Sequence, residues 1–517
     1  MHSGPEKGDT MAKSELFRTK SVEQSIKDTD DPETRLNRNL GAIDLIVFGV
    51  GVIIGAGIFV LTGQAAATTA GPAIAISFLV AALACGLAAL CYAEFASTVP
   101  VAGSAYTFSY ATFGELIAWT IGWDLVLEFT VGSAALASGF SSYWNNLVEG
   151  TFLELPEQLR TAAGSGVVDI PAIVISLLVM WVLIQGIKFS SRINQVVVAI
   201  KIAVVLLVII AGIKYIDAQN WSPFVPPSEP PAAGEGGWLK VPLIQTLLGL
   251  EPAVYGAAGI FAGAAIVFFA FIGFDVVATT AEETHDPQRN VPIGIFGSLA
   301  IVTVLYMAVS LVITGMQDFR DIDPNDGAPL ATAFDSVGVT WMGDVISVGA
   351  CIGLVVVVMI LMLGQTRVAF AMARDGLLPR WLARTHPTHR TPYRITIITG
   401  LAVAAISGFV DLSTLADLVN IGTLFAFVLV SVGVVVLRRT RPDLERGFRV
   451  PAATLVAVLA VIACVYLMLN LVGETWVRFL VWMALGFVVY FAYGRRHSRL
   501  GGVGERTAAD EPSAPPT

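Results

Sequence analysis

Apolar runs of bilayer length recur along this chain, separated by short polar or Pro/Gly-rich segments. Twelve are predicted to be membrane-spanning helices: 41–66, 72–99, 115–145, 167–187, 194–216, 257–283, 291–316, 343–372, 393–411, 416–437, 452–471 and 474–494. No soluble domain fits between them. The longest connection, about Asp217 to Tyr255, contains SPFVPPSEPPAAGEGG and reads as an irregular loop with room for one short helix.

The first span is unusual. It reads FGVGVIIGAGIFVLTG, and Gly49, Gly51, Gly55 and Gly57 fall within nine residues. Such a run makes a poor continuous helix. In lipid an opened backbone survives only where it faces protein or a water-filled cavity. A helix broken in mid-membrane therefore points to a ligand site, because its second half offers free N–H groups and a positive dipole end. Span 6, FAGAAIVFFAFIGFDVVATTAEE, carries a predicted break at Ala270–Gly273. The two breaks lie five spans apart, and an odd spacing puts the two copies in opposite orientations. That pattern predicts an inverted 5+5 repeat with a site between spans 1 and 6. The competing explanation is that the glycines merely let helices pack closely.

Composition agrees with a membrane protein. Of 517 residues, 55% are hydrophobic and 14% charged, and the mean hydropathy is +0.74; no soluble chain of this length is expected to look so. Charge placement sets the orientation. With a cytosolic N-terminus, 24 of the 31 Lys and Arg fall on the cytosolic side and 5 outside, while Lys201 and Arg367 lie within spans. Both termini are therefore expected inside, which requires an even number of spans. The polar tails, 1–39 and 499–517, are expected to be cytosolic. The expected units between them are a first five-helix repeat (40–216), an extracellular loop (217–256), a second repeat (257–440) and two peripheral helices (441–498). Cys85, Cys91, Cys351 and Cys464 all fall in apolar segments and read as small core residues.

The expected site chemistry follows from the two breaks. The outer half of span 1 would start near Ala56–Gly57 with free N–H groups, and its inner half would end near Ile53–Ile54 with free carbonyls. The outer half of span 6 would end near Phe269–Ala270, also with free carbonyls. Donors for a carboxylate and acceptors for an ammonium, a few ångströms apart, suit an α-amino acid zwitterion. An inorganic anion would leave the carbonyls unpaired, at about 1–3 kcal/mol per buried group.

Ionisable residues inside spans are functional candidates by default. Lys201 reads either as a snorkelling residue or as a fixed cation near broken span 1, suited to proton coupling. Glu128 reads either as a structural hydrogen-bonded acid or as a residue that touches the substrate side chain or carries a proton. Asp124 lies one turn earlier on the same face. Asp275 follows the span 6 break, where capping and a functional role are both open. Among Phe268, Phe269, Phe271 and Phe274, Phe269 immediately precedes the predicted opening and is the candidate lid. The five histidines lie in tails or loops, and no HExxH, P-loop or Ser/His constellation is present. No enzyme, metal or cofactor is expected.

Together, four segments carry a specific resemblance: LNRNLGAIDLIVFGVGVIIGAGIFVLTG, CYAEFASTVPVAGSAYTFSYATFGELIAWTIGWDLVLE, FFAFIGFDVVATTAEETHDPQRNVPIGI and GQTRVAFAMARDGLLP. The chain resembles the amino acid–polyamine–organocation superfamily, and within it the cationic amino acid transporter family, from about Leu36 to Arg439. The resemblance implies an all-α, LeuT-like fold of ten core helices plus two peripheral ones, and proton-linked amino acid uptake. It implies that the amides of Ala56 and Gly57, beside Gly55, meet the substrate carboxylate. The carbonyls of Ile53, Phe269, Ala270 and Ile272 would meet the ammonium, Phe269 would gate the site, and Lys201 would match the span 5 lysine. Many relatives carry Ser or Thr where this chain has Ala56, so carboxylate binding here would rest on backbone alone. Met359 and Met362 of span 8 are expected to set pocket size. The family leaves open whether the substrate is cationic or small and neutral. The expected function is import of amino acids across the plasma membrane by alternating access, with the proton as coupling ion and the lipid bilayer and substrate as partners to a monomer. An exchanger and a non-transporting sensor are the rivals.

Overall fold

The computed structural model describes residues 40–98, 104–162, 166–186, 191–231, 237–280, 284–389, 391–444 and 446–498. Both expected tails lie outside the described residues. Among the described residues the secondary structure is helical, with isolated β-bridges and no strand. This is what a bilayer demands, since a helix pairs its backbone groups within the segment.

The first helical elements are α1 (Ala42–Ile53), α2 (57–70, built of π and α turns), α3 (Ile74–Thr98), α4 (Ser104–Thr112), α5 (Glu115–Val148), α6 (Ile170–Ile184) and α7 (Ser191–Gly212). Then come α8 (Leu243–Leu248), α9 (Gly256–Val267), α10 (Phe274–Thr279), α11 (Pro287–Met316) and α12 (Pro329–Ser336). The last are α13 (Thr340–Arg374), α14 (Tyr393–Phe409), α15 (Leu412–Thr440), α16 (Ala453–Leu469) and α17 (Gly473–Val489). Among the described residues, eight helical segments are long and apolar enough to cross a membrane, among them Gly57–Thr98, Glu115–Val148 and Thr340–Arg374. Four shorter apolar helices accompany them: Ala42–Ile53, Ile170–Ile184, Tyr393–Phe409 and Ala453–Leu469. The chain is a multi-pass helical membrane protein.

Local chemistry sets several boundaries. Asp169 accepts from Ala172 N at 3.0 Å to cap α6, and Asp411 accepts from Thr414 N at 2.9 Å to cap α15. Gly71, with φ +57°, followed by Pro72, separates α2 from α3. Two short helices were not expected from the pattern: α4 is too polar to stand out, and α12 begins on Pro329 outside any apolar run. The 217–256 loop contains the short helix α8 and a 3₁₀ turn at Ala218–Trp221.

α5 and α13 form the most extensive helix pair, and α11 packs along α1 and α3. α17 is fastened to α5 by a reciprocal pair. Trp123 and Trp482 stack at 4.6 Å between ring centroids, and each indole N–H donates to the other's carbonyl, at 3.0 and 3.3 Å. Trp119 donates to Gly486 O at 3.0 Å.

Beyond the apolar helices, Glu94 ties α3 to α15. Its carboxylate accepts from Arg438 Nε at 2.7 Å and Nη2 at 2.5 Å, and from the Val450 amide at 2.7 Å. Arg446 Nε stands 3.5 Å away. Glu94 is buried. Glu94→Gln keeps the shape but removes the charge from these hydrogen bonds. We expect a stability loss of about 1.5–3 kcal/mol, read as a lower melting temperature in detergent.

Candidate functional site

Two chain segments uncoil side by side. α1 ends at Ile53; Ile54 is extended (φ −68°, ψ 99°), and helical geometry resumes at Ala56. α9 ends at Val267, tightens into a 3₁₀ turn over Phe268–Phe271, and opens at extended Ile272 and left-handed Gly273 (φ +116°). The second opening falls within the expected Ala270–Gly273, and the helix tightens over the phenylalanines just before it. Only glycine accepts that φ without strain.

The two openings touch through their backbones. A Cβ on Gly57 would lie 2.2 Å from Ala270 Cα and 2.8 Å from Ala270 N. A Cβ on Gly273 would lie 2.8 Å from Val52 Cγ1. The glycines here therefore serve close approach as well as unwinding.

A cavity of about 20 Å³ lies at this junction. Ile53, Gly55, Gly57, Phe269, Ile272 and Glu128 line it, with Val52, Phe129 of α5 and further apolar residues of α5, α13 and α15. Ala56 and Ala270 are buried but outside the lining; their side chains pack against neighbouring backbone, so only their main chain remains available for a ligand. Of the four phenylalanines, Phe269 alone lines the cavity. Phe268 and Phe274 pack on Phe427, and Phe271 on Tyr306. Met359 and Met362, expected to set pocket size, are buried elsewhere; Val357 and Leu361 of the same helix line the cavity instead. Helical phase decides which face looks inward, and the alternating Val/Met/Leu run does not announce it.

The carbonyls at the end of α1 are not free as expected. Lys201 Nζ donates to Gly51 O at 2.8 Å and to Ile54 O at 2.9 Å, and Tyr306 Oη donates to Ile53 O at 2.8 Å. These groups satisfy acceptors that the helix end leaves without an intrahelical donor. Ile53 O keeps a second lone pair. Lys201 is 1% exposed, which excludes the snorkelling reading. Tyr306 was missed: one tyrosine inside the apolar run of α11 carries no local signal of its long-range bond.

Acidic groups complete the site. Gly273 N donates to Asp275 Oδ1 at 3.2 Å, so Asp275 steadies the start of α10. Glu128 and Asp124 are buried on one face of α5; Thr423 of α15 stands beside the Glu128 carboxylate, and among the described residues none of the four carboxylate oxygens has a well-formed hydrogen bond. Asn420 Oδ1 and Thr423 Oγ1 on α15 are likewise without one. Asn420 Nδ2 donates to Ala265 O and Ile266 O, at 2.9 and 3.1 Å, in the last turn of α9. The four cysteines are free and buried.

Comparison with known proteins adds the family. Residues 40–491 match the model of the amino acid permease family. The chain is 45% identical over 490 residues to a methylthioribose transporter of Bacillus subtilis, covering 94% of this chain and 99% of that protein. It is 45% identical over 493 residues to the branched-chain amino acid permease BcaP of Bacillus subtilis, with the same coverage. It is 37% identical over 433 residues to the vacuolar cationic amino acid transporter 4 of Arabidopsis thaliana, covering 83% of this chain and 68% of that one. These relatives are transporters, not enzymes. With two broken membrane helices meeting at a buried cavity, the chain belongs to the amino acid permease family of the amino acid–polyamine–organocation superfamily of transporters.

Proposed function

We propose that this protein imports amino acids across the plasma membrane by alternating access, coupled to protons. The twelve expected spans would form an inverted 5+5 repeat plus two peripheral helices, with both termini cytosolic, working as a monomer. The observation that carries the reading is the cavity bounded by the two uncoiled segments. Main-chain donors on one side of it and main-chain acceptors on the other match a zwitterion. The substrate carboxylate would meet the amides of Ala56 and Gly57. Its ammonium would meet the carbonyls of Ile53, Phe269, Ala270 and Ile272. Phe269, 7% exposed at the cavity edge, would close over it. Lys201, holding the end of α1, would couple protonation to the shape of the break.

Uptake of radiolabelled amino acids into proteoliposomes under a pH gradient tests this. Flux with no amino acid under any gradient rejects it. Counterflow that persists without a gradient selects the exchanger, and binding without flux selects the sensor. For Phe269→Ala we expect faster leak of loaded substrate, read as quicker efflux; unchanged efflux kinetics assign the lid to another residue.

A second reading has one observation in its favour. The oxygens of Glu128, without a well-formed hydrogen bond, suit the hydroxyls of an uncharged solute such as methylthioribose, which names one of the relatives. Saturable uptake of that solute, unaffected by excess amino acids, would select it.

A further inference from the structure

We propose that the groove where α15 ends and α16 begins holds the phosphate of an anionic phospholipid, with an acyl chain lying along the seam between the two helices.

The groove has a volume of about 380 Å³. Val435, Arg438 and Arg439 of α15 line one side, and Ala453, Thr454 and Leu455 in the first turn of α16 line the other. Its polar part is cationic, and no carboxylate is among the lining residues. Arg439 is exposed, and among the described residues its guanidinium has no ion pair or hydrogen bond. Arg438 already serves Glu94 through Nε at 2.7 Å and Nη2 at 2.5 Å, and Val450 O through Nη2 at 2.9 Å. A guanidinium has five N–H donors in a planar fork, so Nη1 keeps its own pair. Arg446 also stands against Glu94, at 3.5 Å, so that carboxylate does not cancel the charge of the groove. Thr454 adds a hydroxyl. Two arginines and a hydroxyl suit a phosphate, which a guanidinium grips through paired N–H···O bonds.

The apolar part points to the source of that phosphate. From Arg439, one face of α15 continues with Val435 and Val432, at helical steps of four and three. From the start of α16, Leu455, Leu459 and Ile462 follow at the same steps. Val432, Leu455, Leu459 and Ile462 are exposed hydrocarbon. α15 and α16 pack side by side and are joined by residues 441–452. Both apolar ladders therefore leave the arginines in the same direction, into the hydrocarbon of the bilayer. A free inorganic ion would use the arginine end alone. A phospholipid uses both ends: its phosphate sits at the membrane surface, where basic residues attract anionic headgroups, and its tail covers the valines and leucines. Phosphatidylglycerol has the matching net charge. Phosphatidylcholine carries a quaternary ammonium that the two arginines oppose. Occupied, the site ties α16 to α15 and, through Arg438 and Glu94, to α3.

The experiment titrates dioleoyl phosphatidylglycerol, dioleoyl phosphatidylcholine or inorganic phosphate into the full-length protein in detergent. Native mass spectrometry reads the lipid retained, and melting temperature reads stabilisation. We expect phosphatidylglycerol to be retained and to raise the melting temperature, and the other two to do neither. Arg439→Gln removes a charge that nothing in the protein uses. It should weaken phosphatidylglycerol binding by about tenfold or more, the equivalent of one hydrogen bond between charged groups. Arg496→Gln is the control. Arg496 is exposed beyond α17, which returns the chain to the same membrane surface, and it lies outside the groove; this variant should bind as the native protein does. Should Arg439→Gln not fold, the three additions to the native protein carry the test. Equal retention of both lipids overturns headgroup recognition. Equal loss in the two variants reduces the effect to general surface charge and overturns the site. Stabilisation by inorganic phosphate as large as by phosphatidylglycerol overturns the lipid assignment.

Discussion

Gly57→Ala should lower amino acid uptake by about 100-fold, the equivalent of roughly 3 kcal/mol. The reason is the meeting of two backbones. The new Cβ would sit 2.2 Å from Ala270 Cα, 2.4 Å from its Cβ and 2.8 Å from its N. Carbon atoms pack at about 3.5–4.0 Å, so the two uncoiled segments must part by more than 1 Å, roughly. No side chain can rotate aside, since the atoms struck are main chain and the shortest side chain there is. Parting the segments separates the amides after Ala56 from the carbonyls before Ile272, and a zwitterion no longer spans them. Gly86→Ala is the control. A Cβ there meets nothing within 4 Å, so that variant should transport as the native protein does. Size-exclusion profiles and melting curves show whether each variant is folded. Native uptake by folded Gly57→Ala would mean that the contact between the breaks does not govern the site.

Lys201→Ala should abolish uptake driven by a pH gradient while reducing substrate binding less. Lys201 Nζ fills two acceptors of the interrupted helix, Gly51 O at 2.8 Å and Ile54 O at 2.9 Å. Its stem lies against Gly353, where an added Cβ would come within 2.7 Å of Lys201 Cε. Alanine leaves both carbonyls without a donor, at about 1–3 kcal/mol each, and no bulk water in the hydrocarbon core replaces it. The end of α1 is then free to move without the cation that holds it. The remaining hold on Ile53 O, from Tyr306 at 2.8 Å, keeps part of the break in place. Binding is read by the rise in melting temperature with substrate, and coupling by the ratio of uptake with and without the gradient. Equal loss of both would make Lys201 a residue of folding alone. Intact gradient-driven uptake would move the coupling to another group.

Much of the architecture was legible because lipid imposes a simple rule. Any long apolar run must be a helix, and any opening in it needs a protein or water partner. The four glycines of span 1 therefore announced the first break at the correct turn, between Ile53 and Gly57. The second also lies where it was predicted, at Ile272 and Gly273, but the 3₁₀ turn that leads into it was not legible. FFAF has no helix breaker, and its tightening comes from the tertiary setting, where Phe268 and Phe271 are held by Phe427 and Tyr306. Short helices such as α4 fell below the threshold of the same rule, which recognises length.

The pairing of groups was not legible. Lys201 and Gly51 are 150 positions apart, and Tyr306 and Ile53 are 253 apart. Free carbonyls were inferred at Ile53 and Ile54 because a helix end leaves them so; a distant lysine and tyrosine supply what the local chain lacks. Glu128 could be placed on the inner face of its helix from spacing, but only the packed fold shows its oxygens beside the cavity without a well-formed hydrogen bond. Likewise Val357 and Leu361, rather than Met359 and Met362, face the site.

The amino acid sequence by itself determined that this chain crosses a membrane as helices, that two of them open part-way, and that both openings offer main-chain atoms. These follow from local composition, since solvent and backbone geometry act on each segment separately. The fold alone decided which openings touch, what satisfies their carbonyls, and which side chains wall the cavity. Those are contacts between segments far apart in the chain, and they are set by the phase and packing of helices against one another, which no single segment encodes.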